Sequence, residues 1–214
     1  MNANEFIHAL GADPDSLAEM AEVLDRLAIS AHTGTPGEAQ TLYWRLQYYV
    51  VQTSFEIRSL FAAIVAVSGV EERYTPIDKY LGLVAYEAVD VLPKLTGRLI
   101  KALAQETSSN YDAGKIKNAL REFLKKVRSA PVDQDSVALV RNAVAAHHLD
   151  KAGDLDVLAE WYGLTREFHQ QGLGPLEVKL NVYAAHIERC LVGFNNELVA
   201  SDMTSRPEDI RPVG

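Results

Sequence analysis

The sequence predicts an all-α protein, an antiparallel helical bundle of long helices with an added N-terminal helix. Three observations carry this. Apolar residues recur every three or four positions through most of the chain, the spacing of one helical face. Strict alternation of polar and apolar residues, the mark of a strand, is scarce. Turn signals built from proline, glycine, aspartate and serine stand far apart, so the helices are long and most connections short. Apolar residues make up 48% of the 214, which suffices for a packed core and argues against wholesale disorder.

The elements follow in order. Asp13-Pro14-Asp15-Ser16 starts a helix, with a capping acid and a proline in the first turn. Leu17, Met20, Ala21, Leu24, Leu27 and Ala28 give it one apolar face, to about residue 31. Gly34-Thr35-Pro36 closes that unit, and Thr35 with Glu38 forms a capping box for the next. That helix is expected over Gly37–Ser68, with Gly69 as its stop. Thr75-Pro76-Ile77-Asp78 starts another, reaching Leu103 with a kink near Pro93, where an intrahelical donor is missing. Residues 108–112 read as a loop. Ala113 to Arg128 is a basic amphipathic helix whose apolar stripe is Ile116, Ala119, Leu120, Phe123 and Val127. Ala130-Pro131-Val132-Asp133 ends it, and Asp133 or Ser136 caps the segment that follows. Residues 150–154 are a turn, 155–171 are helical with a break at Gly163, and 172–175 turn again. Leu176 to Val199 is a last amphipathic helix with Leu180, Tyr183, Ala184, Ile187, Leu191, Phe194 and Leu198 inward. Residues 1–34 are thus an N-terminal helical cap, 35–200 the bundle, and 201–214, with Pro207 and Pro212, a flexible tail.

Composition narrows the function classes. The net charge of −8 disfavours a general nucleic-acid coat protein but leaves room for a local basic site. A single cysteine, Cys190, excludes an internal disulfide. With the polar opening Met1-Asn2-Ala3-Asn4-Glu5, that makes the cytoplasm the expected compartment. The longest apolar run, Leu60–Val67, falls far short of the roughly 20 residues that span a bilayer, so no membrane partner is expected. There is no internal repeat, glycine-rich phosphate loop, CxxC or HExxH pattern.

The chemistry concentrates in Val140-Arg141-Asn142-Ala143-Val144-Ala145-Ala146-His147-His148. A permanent cation, an amide and two imidazoles interrupt an otherwise apolar helical segment. An unpaired polar group at a core position costs roughly 2–7 kcal/mol, so such residues need a structural or catalytic reason. Seven residues, almost two turns, put Arg141 and His148 on one face. His147 points about 120° away, within partial reach of a bent arginine or of a second subunit. Asn142 can orient a ring or a phosphate. The structural alternative makes Arg141 a buried anchor to Asp150, Asp154 or Glu160, and the histidines packed residues with satisfied hydrogen bonds. As metal ligands, His147, His148, Asp150 and Asp154 match no zinc spacing, so no metal and no cofactor are expected.

The string Arg141-Asn142-x-x-x-Ala146-His147-x-x-Asp150-Lys151 in an all-α bundle resembles the signature of the HEPN superfamily, in particular its abortive-infection branch. The likeness of layout covers residues 37–200: a long early helix, a variable middle, the motif and a closing amphipathic helix. It departs at Ala143, where that branch often carries a lysine that would bear on phosphate binding. The resemblance implies a metal-independent endoribonuclease working as a homodimer, a toxin or phage-defence component with RNA as substrate and an antitoxin protein as partner. On that reading His147 takes the proton of the ribose 2′-hydroxyl, Arg141 neutralises charge on the phosphoryl oxygens, and Asn142 orients one or the other. His148 and Asp150 support them. A second reading keeps the HEPN-like fold as a non-catalytic helical module that binds a partner protein or nucleotide.

The basic helix bears on both. Between Lys115 and Arg128 stand Lys115, Lys117, Arg121, Lys125, Lys126 and Arg128 against one acid, Glu122. Lys117, Arg121, Lys125 and Arg128 line one face and are the candidate RNA contacts, by counterion release. The alternative is a solvated helix face. Tyr43, Trp44, Tyr48, Tyr49, Trp161 and Tyr162 read as core or interface, and Cys190 as packing. His8, His32, His169 and His186 are scattered and carry no signal.

Overall fold

In a computed structural model, residues 3–32, 38–67, 76–106, 110–130 and 176–203 are described. They form helices α1 (Ala3–Ala9), α2 (Pro14–His32), α3 (Glu38–Val67), α4 (Pro76–Leu103), α5 (Ala113–Arg128) and α6 (Leu176–Ala200). No strand occurs among them, and the all-α expectation holds. Five of the six helices lie within a residue or so of their expected limits. The expected capping residue Thr35, the stop at Gly69, the turns and helix over 131–175, and the tail from 204 onward lie outside the described residues.

The helix starts follow the sequence signals. Asp13 caps α2: one carboxylate oxygen accepts from the Ser16 backbone N–H at 3.1 Å and the other from the Ser16 hydroxyl at 2.8 Å. Those two bonds hold the Asp13 carboxyl below its ordinary pKa. Asp112 caps α5, accepting from the backbone N–H groups of Gly114 and Lys115 at 2.9 and 3.0 Å. α3 has a tertiary contact at its start: the Ala39 N–H donates to Glu106 Oε1, just past α4, at 3.0 Å. α4 runs on through Pro93.

α1 has no counterpart in the sequence reading. A seven-residue helix is marginal alone, and this one forms because the chain after it is anchored. Gly11, at φ 62°, closes it with a Schellman pair, Ala12 N–H to Ile7 C=O and Gly11 N–H to His8 C=O. Leu10 and Ala12 are then buried in the main core. α2 adds its own apolar patch, with Met20, Leu24 and Leu27 packed on Val51 of α3.

α3 to α6 make an up-and-down four-helix arrangement, with α2 laid on α3. α6 runs antiparallel to α3, because Tyr43 near the start of α3 donates to the Leu198 carbonyl near the end of α6 at 3.2 Å. It also runs antiparallel to α5, since Lys115 Nζ reaches the Ala200 carbonyl and His186 Nε2 meets the Lys126 carbonyl at 2.8 Å. α4 lies alongside α6 in the same direction, with Gly82 against Leu180. α3 is enclosed: no residue from Leu46 to Val65 is exposed. All seven residues expected on the inner face of α6 are buried, as are Ile116, Ala119, Phe123 and Val127 of α5; Leu120 is half-buried.

Residues 201–203, the first of the expected tail, are tied to the residues that open α5. Ser201 is fully buried and its hydroxyl donates to the Leu198 carbonyl at 2.6 Å. Its carbonyl accepts the Asp112 N–H at 2.9 Å, and the Met203 N–H donates to the Asn110 carbonyl at 2.8 Å. Tyr111 in this clasp stacks on Tyr43, ring centroids 4.1 Å apart. Satisfied backbone groups and an aromatic anchor hold residues 201–203 where composition alone reads as loose.

Two glycines of α4 separate propensity from packing. A methyl at Gly97 meets nothing within 4 Å, so Gly97→Ala should stabilise by about 0.5–1 kcal/mol, read as a rise in the midpoint of urea unfolding. At Gly82 an added Cβ would stand 2.8 Å from the buried Leu180 side chain, so Gly82→Val should cost about 1–3 kcal/mol in the same measurement.

Candidate functional site

The motif residues Arg141, Asn142, His147, His148 and Asp150 lie outside the described residues, as do Asp154, Glu160, Trp161, Tyr162 and His169. The helices on either side of that segment are described. α5 and α6 pack antiparallel, so α5 ends and α6 begins at the same end of the pair.

The basic helix has the orientation its periodicity demands. Its apolar stripe is buried against α4 and α6, and Lys117, Arg121, Lys125 and Arg128 are exposed on the far side. Spacings of four, four and three residues keep them in one row. Arg121 donates to Asn118 Oδ1 at 3.3 Å, and Lys125 stands 4.0 Å from Glu122. Among the described residues no carboxylate lies in salt-bridge reach of Lys117 or Arg128. The other two cations of the helix turn toward α6. Lys115 reaches its last carbonyl, and the Lys126 ammonium passes beside Gly193, where a side chain would meet it at 3.6 Å. The row can hold a polyanion; the flank staples two helices.

A second polar constellation was not expected from the sequence. Arg58 of α3 and Glu188 of α6 are 4% and 1% exposed, and Arg58 Nε donates to Glu188 Oε1 at 2.6 Å. Ser54 Oγ lies 2.7 and 2.8 Å from the two carboxylate oxygens, and Arg58 Nη1 reaches the Gly11 carbonyl at 3.3 Å. Burial pushes the Glu188 carboxyl above its ordinary pKa, against the opposing pull of Arg58 and Ser54. A perturbed carboxylate beside an arginine and a serine invites a catalytic reading. The exposures decide against it, because no substrate reaches groups so deeply enclosed. The cluster ties α3, α6 and the α1–α2 turn together.

The remaining reactive groups are also interior. Cys190 is buried, and desolvation pushes its thiol up. Burial raises the phenols of Tyr49, Tyr111 and Tyr183 to about 12. Trp44 and Tyr49 pack against the main core, while Tyr43 is wholly inside it. Among the described residues no three His, Cys, Asp or Glu side chains group as metal ligands, and no helix is long and apolar enough to cross a membrane. Comparisons with known families, with characterised proteins and with solved structures found no match.

The buried pair makes a signed prediction. Arg58→Met leaves Glu188 enclosed without its cation and should cost about 3–5 kcal/mol at neutral pH. A carboxyl with a raised folded-state pKa supports the fold below its unfolded value and loses that support as pH rises through the folded one. The deficit of Arg58→Met should therefore shrink as denaturation is measured at falling pH. The double variant Arg58→Met/Glu188→Leu should recover most of the loss and show no such pH dependence.

Proposed function

We propose that this chain is a metal-independent endoribonuclease of the HEPN type, acting as a homodimer with paired motifs around one cleft. The observation that carries the reading is the ordered string Arg141-Asn142-x-x-x-Ala146-His147-x-x-Asp150-Lys151 in a chain whose described residues form helices and no strand. The exposed row Lys117, Arg121, Lys125 and Arg128 supports it, since a polyanionic substrate needs such a surface in a protein of net charge −8.

In this mechanism the neutral His147 imidazole accepts the 2′-hydroxyl proton, and the 2′-oxygen attacks the neighbouring phosphorus. The bond to the 5′-oxygen breaks and that oxygen takes a proton from water, leaving a 2′,3′-cyclic phosphate and a 5′-hydroxyl. Arg141 holds the charge on the non-bridging oxygens with its planar fork, and Asn142 orients the ring or the phosphate. His148 and Asp150 support this pair. A toxin or defence role, with an antitoxin protein as partner, belongs to the same proposal. One residue favours the second reading, a non-catalytic module for a partner protein or nucleotide: Ala143 replaces the lysine frequent in the abortive-infection branch.

The test is cleavage of labelled RNA in the presence of a metal chelator. His147→Ala should lower the rate about 10²–10⁴-fold and Arg141→Ala about 10²–10³-fold, with circular dichroism unchanged. RNA that is bound but left intact by the wild-type chain would favour the non-catalytic module. Cleavage equally fast in both variants would remove the nuclease assignment.

A further inference from the structure

The cationic row of α5 has a neighbour on α4. Arg98 and Lys101 are exposed and three residues apart, so they share the outer face of the last turns of α4. Lys94 lies on the same face but is held by Asp90 at 2.6 Å. α4 is parallel to α6 and α5 antiparallel to it, so α4 and α5 pack as antiparallel neighbours joined by residues 104–112. The end of α4 therefore lies at the start of α5. Arg98 and Lys101 sit at the Lys117 end of the α5 row, and the row continues through Arg121 and Lys125 to Arg128. Beyond Arg128 the chain enters the segment that carries Arg141 and His147. Among the described residues neither Arg98 nor Lys101 has a carboxylate in salt-bridge reach.

Charge is distributed with a sense. The exposed residues Asp15, Glu19, Glu22 and Asp25 make the outer face of α2 acidic, relieved by Arg26. α2 packs on α3, while α5 packs on α4 and α6, so the layer of α3, α4 and α6 lies between the acidic and the basic helix. A polyanion is repelled on one side of the bundle and attracted on the other.

We propose that Arg98 and Lys101 of α4 join Lys117, Arg121, Lys125 and Arg128 of α5 in one track for the phosphate backbone of single-stranded RNA. The track runs along α5 to Arg128. This rests on the nuclease reading for the identity of the polymer. An RNA backbone fits better than an acidic protein because the cations form a regular exposed row, while the apolar residues beside it, Leu120 and Leu124, are partly buried against the core, which suits repeating charge rather than side-chain recognition.

The experiment measures binding of a labelled single-stranded RNA to the full chain carrying His147→Ala, as a function of salt. Arg98→Gln/Lys101→Gln and Lys117→Gln/Arg121→Gln should each weaken binding about tenfold at low salt. Each pair should also lower the slope of log affinity against log salt by about 1.4, two contacts at about 0.7 apiece. Glu19→Gln/Glu22→Gln should bind as well or more tightly. An unchanged affinity and slope in the α4 pair would overturn the shared track. So would polyglutamate binding as tightly as RNA through the same cations. The two readings fail separately: salt-dependent binding as described by a wild-type chain that never cuts RNA keeps the track and removes the nuclease. Cutting at unchanged KM in the combined four-site variant removes the track and keeps the nuclease.

Discussion

The architecture depends on what happens inside α3. A helix with no exposed residue over twenty positions leaves its polar groups little water: Gln47 Oε1 is buried without a partner, while the costlier groups are met within the protein. Thr53 turns its hydroxyl onto the Tyr49 carbonyl at 2.8 Å, a local solution. Arg58 has none, and its charge is met by Glu188 of α6 and by the Gly11 carbonyl of the α1–α2 turn. Sliding α6 by one turn would strand two charges, each costing several kcal/mol. The pair thus sets the register of α6 on α3. With that register fixed, Leu198 meets the Tyr43 hydroxyl, Ser201 meets Asp112, and His186 meets the Lys126 carbonyl, which seats α5.

That arrangement explains how the described helices of a chain of net charge −8 present a basic face. The acidic residues of α2 and the basic residues of α4 and α5 are kept apart by the core helices, so their fields do not cancel locally. On the proposed function this matters twice. It selects the side from which a polyanion approaches, and it puts the attractive surface on the helix from which the motif segment departs.

The fold was largely legible, and the reasons are specific. Amphipathic stripes report burial directly: the inner residues of α6 from Leu180 to Leu198 and those of α5 from Ile116 to Val127 are where their spacing puts them. Asp13 and Pro14 carry a start signal that needs no tertiary context. α1 was missed because seven residues make no periodic pattern, and its anchors, Leu10 and Ala12, lie beyond its end. The Arg58–Glu188 pair was missed for a different reason. A glutamate beside an inward isoleucine or an arginine beside another usually sits on the flank of the stripe, in solvent. Only the enclosure of α3 by several helices turns those flanks inward, and that is a property of the assembly. Arg98 and Lys101 were visible as letters, but their adjacency to the α5 row follows from antiparallel packing. Of the candidate site, the α5 cations were read correctly as an exposed face, while the motif at 141–150 stands on its sequence pattern.

The central claim is that His147 and Arg141 direct a ribose 2′-hydroxyl at its own phosphodiester. Its most direct test is the end chemistry of RNA incubated with the chain in chelator, beside an otherwise identical oligonucleotide with a single 2′-deoxyribose at the cut position. The claim predicts fragments ending in a 2′,3′-cyclic phosphate and a 5′-hydroxyl, and no cut at the deoxy position. A 5′-phosphate on the product, or unimpaired cutting at the deoxy position, would contradict it.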